Sequence, residues 1–466
     1  MARHAMNSPD AAWLRMDRPT NLMVITSVLW FDAPLPLDAV RAIFRDRLVA
    51  PFPRFRQRAD AGGAGRRPAW VDDDQFDIGL HIHHLALPAP GDRAVLQDVV
   101  SDLAVRPLDP SRPLWEVHLL DGYGKGCALV VRMHHAIADG ILLARVMMSL
   151  TDGAEAVHSR APRPRTRQLP LPGPLGAAAG AARAGVSIAR EAAGVARHPE
   201  RVPGVARAAA QDGRTLLKLL LPASDPDSAV HGELVPAHHV AWTEPVPLER
   251  VRETGRRHGA TINDVVVAAV AGAVGSSLRR NGDAVPAIHA LVPFNLRPLD
   301  GELDPRLGNR FGLVLLPLPT NVHGRSARIH AAHEQMLAIK RSNEGPLSYG
   351  ILGLIGLTPA MVEARLVDFF SAKGSMVLTN VPGPRRPVTL AGVPVGGVLV
   401  WAPCSGKVGM SVSVFSYAGR LTVGFLVDDA LAADPAELAR DVHRELCRKP
   451  APRPRRTADD APVATP

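Results

Sequence analysis

The chain is poor in aromatic residues and in cysteine. Phe, Trp and Tyr make up 4% of its 466 residues, so packing has to rest on Val, Leu, Ile and Ala. The three cysteines, Cys127, Cys404 and Cys447, stand far apart with no CxxC spacing. That argues against a disulfide framework and a thiolate zinc site, and it fits a reducing compartment. The first twenty residues mix His, Asp, Arg and Pro and lack the basic-then-apolar order of a signal peptide. Long apolar runs are missing too. Residues 350–362 are interrupted by Pro359, and residues 388–404 by glycines and prolines, so neither is expected to cross a bilayer. No G-x-S-x-G nucleophile elbow occurs, which argues against an acyl-serine intermediate.

What is present is enough apolar mass for two domains of roughly 200 residues each, since hydrophobic residues reach 46%. The net charge of +9 is unevenly placed. Residues 160–220 carry +8 and the tail from Arg448 carries +3, which leaves −2 for the rest. Residues 159–232 are rich in Pro, Ala, Gly and Arg and read as a basic helical linker. Arg183, Arg190 and Arg197 recur every seven residues there, which puts three guanidiniums on one helical stripe. That stripe is either a solvent face or a membrane-surface helix with 216–221 as its anchor. No aromatics interleave with the arginines, so nucleic acid is not expected as a partner.

On either side the pattern is mixed α/β. Residues 1–158 form one expected domain. It has strands at 21–31 and 78–86, helices at 37–48 and 95–104, a hairpin pairing 115–120 with 127–134, and a buried helix at 141–150. In the 21–31 run, Leu22, Val24, Thr26, Val28 and Trp30 would share one face. Residues 233–447 form the second domain. A long helix opens at Thr261-Ile262-Asn263-Asp264, strands fall at 287–293 and 375–379, and a hairpin turns at Ala418-Gly419. Residues 448–466, rich in Pro and charge, are expected to be disordered.

The chemistry concentrates at His134-His135-Ala136-Ile137-Ala138-Asp139-Gly140. The preceding strand delivers both histidines as it ends, and adjacent strand residues point to opposite faces. One imidazole can face a reaction space while the other packs. A histidine there is a natural general base, able to take a hydroxyl proton as the oxygen attacks an acyl carbonyl. We assign that role to His135, with His134 as an orienting neighbour, Asp139 as an inward carboxylate bracing the loop, and Gly140 as the glycine of a tight turn. The pattern would arise by chance in roughly 0.003 of chains of this composition.

With Pro113-Leu114-Trp115 upstream, the motif resembles that of the bacterial wax ester synthase/diacylglycerol acyltransferase family. Asn263-Asp264 is similar to the family's matching helix start. Pro293-Phe294-Asn295-Leu296-Arg297, Leu307-Gly308-Asn309-Arg310-Phe311-Gly312 and Thr379-Asn380-Val381-Pro382-Gly383-Pro384 look like its later motifs. The resemblance spans about residues 8 to 447. It implies an α/β (α+β) fold of two chloramphenicol-acetyltransferase-like domains with an active-site tunnel between them. It also implies direct transfer from acyl-CoA, a substrate and not a cofactor, to a long-chain alcohol or diacylglycerol.

The supporting residues have simpler readings beside these. Thr261 and Asp264 form a capping box, which leaves Asn263 as the candidate for a role near the substrate. Asn295 sits in the motif that follows the next strand. Arg297 is expected to pair with Asp139 across the domain junction. Gly308, Gly312 and Gly383 read as turn glycines, and Trp115 as core packing. His81-Ile82-His83-His84 offers two imidazoles on one strand face, but no carboxylate or thiolate completes a ligand set at suitable spacing, so no metal is expected. Gly122-x-Gly124-x-Gly126 reads as a hairpin turn rather than a nucleotide fingerprint.

The expected protein is an acyl-CoA:alcohol O-acyltransferase, cytoplasmic and peripheral on the inner membrane face or on lipid inclusions. Two rivals stand beside it. One is a condensation-type ester or amide synthase fed by a carrier protein; the other is a lipid-binding or droplet-coating relative without catalysis. Acceptor preference, acyl length and oligomeric state are left open.

Overall fold

The computed structural model describes residues 3–62, 66, 68–153, 224–283, 288–297, 303–342, 344–355, 358 and 360–448. The arginine stripe, the 216–221 segment and the tail from Lys449 lie outside the described residues. The first half contains β1 (Arg3–Ala5), α1 (Ser8–Arg15), β2 (Val24–Phe31), α2 (Leu37–Phe44), β3 (Gln57–Asp60), β4 (Ala69–Asp72), β5 (Ile82–Ala86), α3 (Arg93–Ala104), β6 (Trp115–Tyr123), β7 (Gly126–His134) and α4 (Gly140–Ser149). The second begins with β8 (His238–Trp242), β9 (Val246–Pro247), α5 (Leu248–Arg257), α6 (Ile262–Arg280), β10 (Ile288–Asn295), β11 (Phe311–Leu318), α7 (Arg325–Arg341), α8 (Glu344–Ile355) and α9 (Ala360–Ser371). It ends with β12 (Met376–Pro382), β13 (Thr389–Leu390), β14 (Val393–Trp401), β15 (Met410–Tyr417), β16 (Arg420–Asp428) and α10 (Pro435–Cys447).

Each half is built on one mixed sheet. The first runs β13-β14-β2-β7-β6-β5 and the second β11-β10-β12-β15-β16-β8. The contiguous division at 233–447 therefore needs correction: β13 and β14 leave the second half and join the first sheet. Val398 and Leu399 of β14 pair with Leu29 and Val28 of β2. The crossing covers what would be an open edge of β2 and buries Leu399 and Trp401. Each fully buried side chain of this size contributes roughly 1.5–3 kcal/mol. The apolar pattern of 395–401 was visible in the sequence; the sheet it joins was not.

β7 is buried along its whole length, because β2 and β6 flank it and helices or the other half cover both faces. Val24, Thr26, Val28 and Trp30 share one face of β2, as expected, since its register with β7 is unbroken, while Leu22 precedes the strand. The other face is covered too, so Val28 and its neighbour Leu29 are both buried. Two further expectations shift. The 78–86 strand begins with a 3-10 turn at Ile78–Leu80, and the 37–48 helix ends in a π turn over Arg45–Val49. The β15–β16 hairpin turns on Ala418 and Gly419, with φ of 46° and 75°, the pair of positive values a two-residue hairpin demands.

α6 lies outside the two apolar runs of 350–362 and 388–404. By length and composition it is the one such helix among the described residues. Its residues from Asp264 to Leu278 are almost all buried, as befits a helix that is apolar all round inside a protein. Apolar packing is continuous across the seam between halves, where Val240, Phe311, Val381 and Phe415 join the first half's core.

Candidate active site

The histidine loop is held by its own backbone and by both halves. The His135 N–H donates to the Met23 carbonyl at 2.6 Å, and the Ala136 N–H donates to His134 Nδ1 at 3.0 Å. That bond fixes Nδ1 of His134 as an acceptor. Its Nε2 lies 3.3 Å from Asp17 Oδ2, an electrostatic contact rather than a hydrogen bond. His134 thus spends its ring on the loop, and we read it as a positioning residue. Ala136, Ile137 and Ala138 are fully buried, so their backbone groups need partners. The Gly308 N–H supplies one to the Ile137 carbonyl at 3.0 Å, and Asn309 Nδ2 supplies another to the His135 carbonyl at 2.8 Å. Gly308 has a φ of 100°, so its reading as a turn glycine stands.

Asn309 is itself held from the first half. Asp10 Oδ1 accepts from both its backbone N–H and its Nδ2, each at 2.9 Å. Burial raises the Asp10 carboxyl to about 6, against the lowering effect of those bonds. Asp139 caps α4, accepting from the Leu142 N–H at 2.9 Å. Arg297 Nη1 reaches its Oδ2 at 3.1 Å, so the expected pair across the junction is present. The same arginine donates to the Gly308 carbonyl at 2.6 Å through Nη2. Burial raises the Asp139 carboxyl, with Arg297 opposing that effect.

His135 is 4% exposed. Its ring stacks on Trp13 at a centroid distance of 4.2 Å and lies 5.4 Å from Phe311. Nδ1 is buried with no hydrogen-bond partner among the described residues. Burial in this aromatic clamp lowers its pKa to about 3, so the ring is a free base at neutral pH.

A cavity of about 60 Å³ meets His135 at the seam, lined also by Asp139, Gly140, Ile141, Asn295 and Thr379. Thr379 Oγ1 is buried there without a hydrogen-bond partner. A second cavity, of about 350 Å³, shares Ile141, Asn380 and Val381 with the first. It adds Arg145 and Asn263, and Asn380 Nδ2 donates to Asn263 Oδ1. A third, of about 100 Å³, shares Phe311 with the first and nothing with the second. It is almost wholly apolar, with Trp13, Leu313 and Leu352 in its wall.

Asn263 therefore stands one step out from His135, on the flanking cavity. Asn295 lines the His135 cavity while its side chain bonds the Arg297 N–H and carbonyl, each at 3.0 Å. Gly140 needs correction. It begins α4 rather than making a turn, and a Cβ there would meet nothing nearer than Ile25 Cδ1 at 3.9 Å. Gly312 and Gly383 are also not turn glycines. A Cβ on Gly312 would stand 1.9 Å from the Gly345 carbonyl oxygen, and one on Gly383 2.5 Å from the Phe415 ring. The capping box of Thr261 and Asp264 is present, and Trp115 is core, stacked on His81.

Asp10, Trp13, Asn309, Phe311, Thr379 and Asn380 join the site without a role expected from sequence. Asn309, Phe311, Thr379 and Asn380 lay inside motifs already singled out. Trp13 is one of six tryptophans, and nothing marked Asp10.

The metal reading needs a correction too. His83 and His118 are register partners, and Glu116 lies two residues before His118, so their ligand atoms fall within 4.8 Å of one another. A carboxylate does complete the set, across strands. Arg132, fully buried, already pairs with Glu116 and supplies the positive charge a cation would bring.

Comparison with known proteins agrees with this geometry. A family model described as the wax ester synthase/diacylglycerol acyltransferase catalytic domain matches residues 6–266. One described as the WS/DGAT C-terminal domain matches residues 307–448. A Mycobacterium tuberculosis H37Rv protein named a probable diacylglycerol O-acyltransferase, tgs1, is 29% identical over 455 residues, 94% of each chain. A Mycobacterium bovis protein with a similar name is 31% identical over 402 residues, 82% of this chain and 84% of its own. The solved wax ester synthase/diacylglycerol acyltransferase of Marinobacter aquaeolei VT8 superposes with a TM-score of 0.66 at 22% identity, covering 95% of this chain and 98% of that one. The first condensation domain of the calcium-dependent antibiotic synthetase gives 0.58 at 19% identity, covering 96% of each. At such identities the two structures speak to the fold, the two-domain chloramphenicol-acetyltransferase-like one.

Proposed function

The chain belongs to the wax ester synthase/diacylglycerol acyltransferase family and is an acyltransferase acting on diacylglycerol or a long-chain alcohol; from that premise we propose that His135 is the general base of direct transfer from acyl-CoA. Its imidazole takes the acceptor's hydroxyl proton as that oxygen attacks the thioester carbonyl. The tetrahedral intermediate then collapses, the ester forms, and the CoA sulfur leaves with the proton from the imidazolium. An imidazole held near 3 is a weak base at rest. In the transition state the imidazolium stands beside the charge developing on the carbonyl oxygen, and in a water-poor cavity that pairing is worth far more than in water.

Thr379 is the candidate donor to that oxygen, because its buried hydroxyl is unengaged on the same cavity. Asp139, Arg297, Asn309 and Asp10 hold the loop. The cavity with Arg145, Asn263 and Asn380 suits the polar pantetheine arm and phosphates of CoA, and the apolar cavity suits the acceptor's chains. The scheme needs acyl-CoA as substrate and no resident cofactor. Acceptors of this kind partition into lipid, so the protein is read as working at a membrane face or lipid inclusion on the cytoplasmic side. The observation that carries the proposal is His135 at the seam, with an almost wholly apolar cavity on one flank and, on the other, a cavity whose largely apolar wall carries Arg145, Asn263 and Asn380.

The test is to incubate pure protein with labelled palmitoyl-CoA, offer diacylglycerol and hexadecanol separately, and resolve the products. Ester is expected with at least one acceptor. His135→Ala should cut turnover by about 10²–10⁴ without loss of fold by circular dichroism. Turnover near the wild-type level in that variant removes the mechanism.

A further inference from the structure

Six large apolar side chains are exposed among the described residues, and three of them, Met361, Val362 and Phe369, belong to α9. Met361 is 71% exposed, Phe369 47% and Val362 45%. Met361, Arg365 and Phe369 follow one another at four-residue steps, and Val362 lies beside them, so the four make one outward stripe. Its one charge is Arg365, which is exposed. The acids of α9 are both engaged by arginines. Glu363 is 1% exposed with Arg15 Nε 3.1 Å from its carboxylate, and Asp368, part-exposed at the edge of the stripe, holds Arg18 at 2.6 Å. At the helix end, Lys373 Nζ sits 4.4 Å over the Phe369 ring. The opposite face of α9 does different work. Val367, Phe370 and Ser371 wall the apolar cavity that ends at Trp13 and Phe311, the two rings against His135.

We propose that the α9 stripe is the surface by which this protein sits on lipid, an anionic bilayer face or droplet monolayer, and that the acceptor passes from that lipid into the apolar cavity beneath the same helix. An apolar stripe that carries Arg365, with the acid at its edge already neutralised by Arg18, matches an interface with anionic headgroups. A second copy or a protein partner fits less well. A helix of 12 residues is about 18 Å long, and three side chains on it fall far short of the 1,200–2,000 Å² or so that a stable protein interface buries. Continuity decides the matter: one helix has lipid-like chemistry outside and an apolar cavity inside. The inference rests on the reading of that cavity as the acceptor's.

The experiment uses the full chain and vesicles of phosphatidylcholine with phosphatidylglycerol, against phosphatidylcholine alone. Wild type should sediment with the mixed vesicles. The double variant Met361→Glu/Phe369→Glu should bind them about tenfold less and lose turnover of vesicle-borne diacylglycerol. It should keep turnover of a water-soluble short-chain alcohol. A nitroxide on Met361→Cys, in a Cys447→Ser background, should report burial in lipid whatever other segment also binds. The proposal falls if the double variant sediments like wild type and the nitroxide stays in water. It falls equally if wild type ignores vesicles, or is a dimer that the double variant turns into a monomer. Failure of wild type to acylate any acceptor would instead strike the proposed function and leave the vesicle measurement to decide the surface.

Discussion

The two spaces flanking His135 differ in kind. One has Trp13, Phe311, Leu313 and Leu352 in a nearly unbroken apolar wall; the other presents Arg145 and the Asn263–Asn380 amide pair. A single general base between two such flanks suits substrates of opposite character: a lipid that brings chains, and a thioester on a polar, phosphate-bearing arm. The difference also assigns labour to the halves. The histidine and the cap of α4 come from the first half, while Arg297, Asn309, Phe311 and Thr379 come from the second. Neither half holds a complete site.

Between the flanks, the sharpest test of that shared site is Thr379→Val. Removing one donor to a developing oxyanion costs about 10²–10³ in rate, and here kcat should fall by that order with KM for either substrate little changed. A change confined to KM would return Thr379 to packing. Next is Asp10, which joins α1 to Asn309. Burial lifts its folded pKa to about 6, well above the usual aspartate value. The folded state therefore binds the proton more tightly, so the stabilisation is full below about pH 4 and is lost as pH rises through about 6. The shift corresponds to about 3 kcal/mol. Measured by urea denaturation, the stability of wild type relative to Asp10→Asn should fall by that order between pH 4 and pH 7. A pH-independent difference would mean Asp10 is not titrating there.

The smallest expected effects split the flanks directly. Leu352→Trp should raise KM for diacylglycerol about tenfold by filling the apolar cavity, with KM for acyl-CoA unmoved. Asn380→Ala should do the reverse, raising KM for acyl-CoA about tenfold, of the order of one hydrogen bond to substrate. If each variant affected both substrates alike, the division of flanks would be wrong.

Much of this site was legible because it is local. His134, His135 and Asp139 lie within six residues of chain, and strand alternation said that one imidazole could pack while the other faced a cavity, though not which; the strand ends at His134 and His135 stands just beyond it. The Asp139–Arg297 pair was legible because both residues follow strand ends at one seam. What stayed hidden depends on long-range contacts. Asp10 and Trp13 reach the site from a helix at the start of the chain. β14 lies in the 388–404 run, for which the only expectation is that it does not cross a bilayer, and nothing in Val398-Leu399-Val400 says that it forms a strand of the first sheet. Glu116 becomes a neighbour of His83 through the pairing of β5 with β6. The glycines misled for a related reason: Gly312 and Gly383 are small so that other elements can approach, a requirement invisible without the neighbours.

Initial-rate kinetics with acyl-CoA and acceptor varied together test the central claim most directly. If both substrates meet at His135 at once from opposite flanks, the reciprocal plots intersect and no acyl-enzyme forms in the absence of acceptor. Parallel lines, with labelled acyl group trapped on the protein before acceptor is added, would contradict the account.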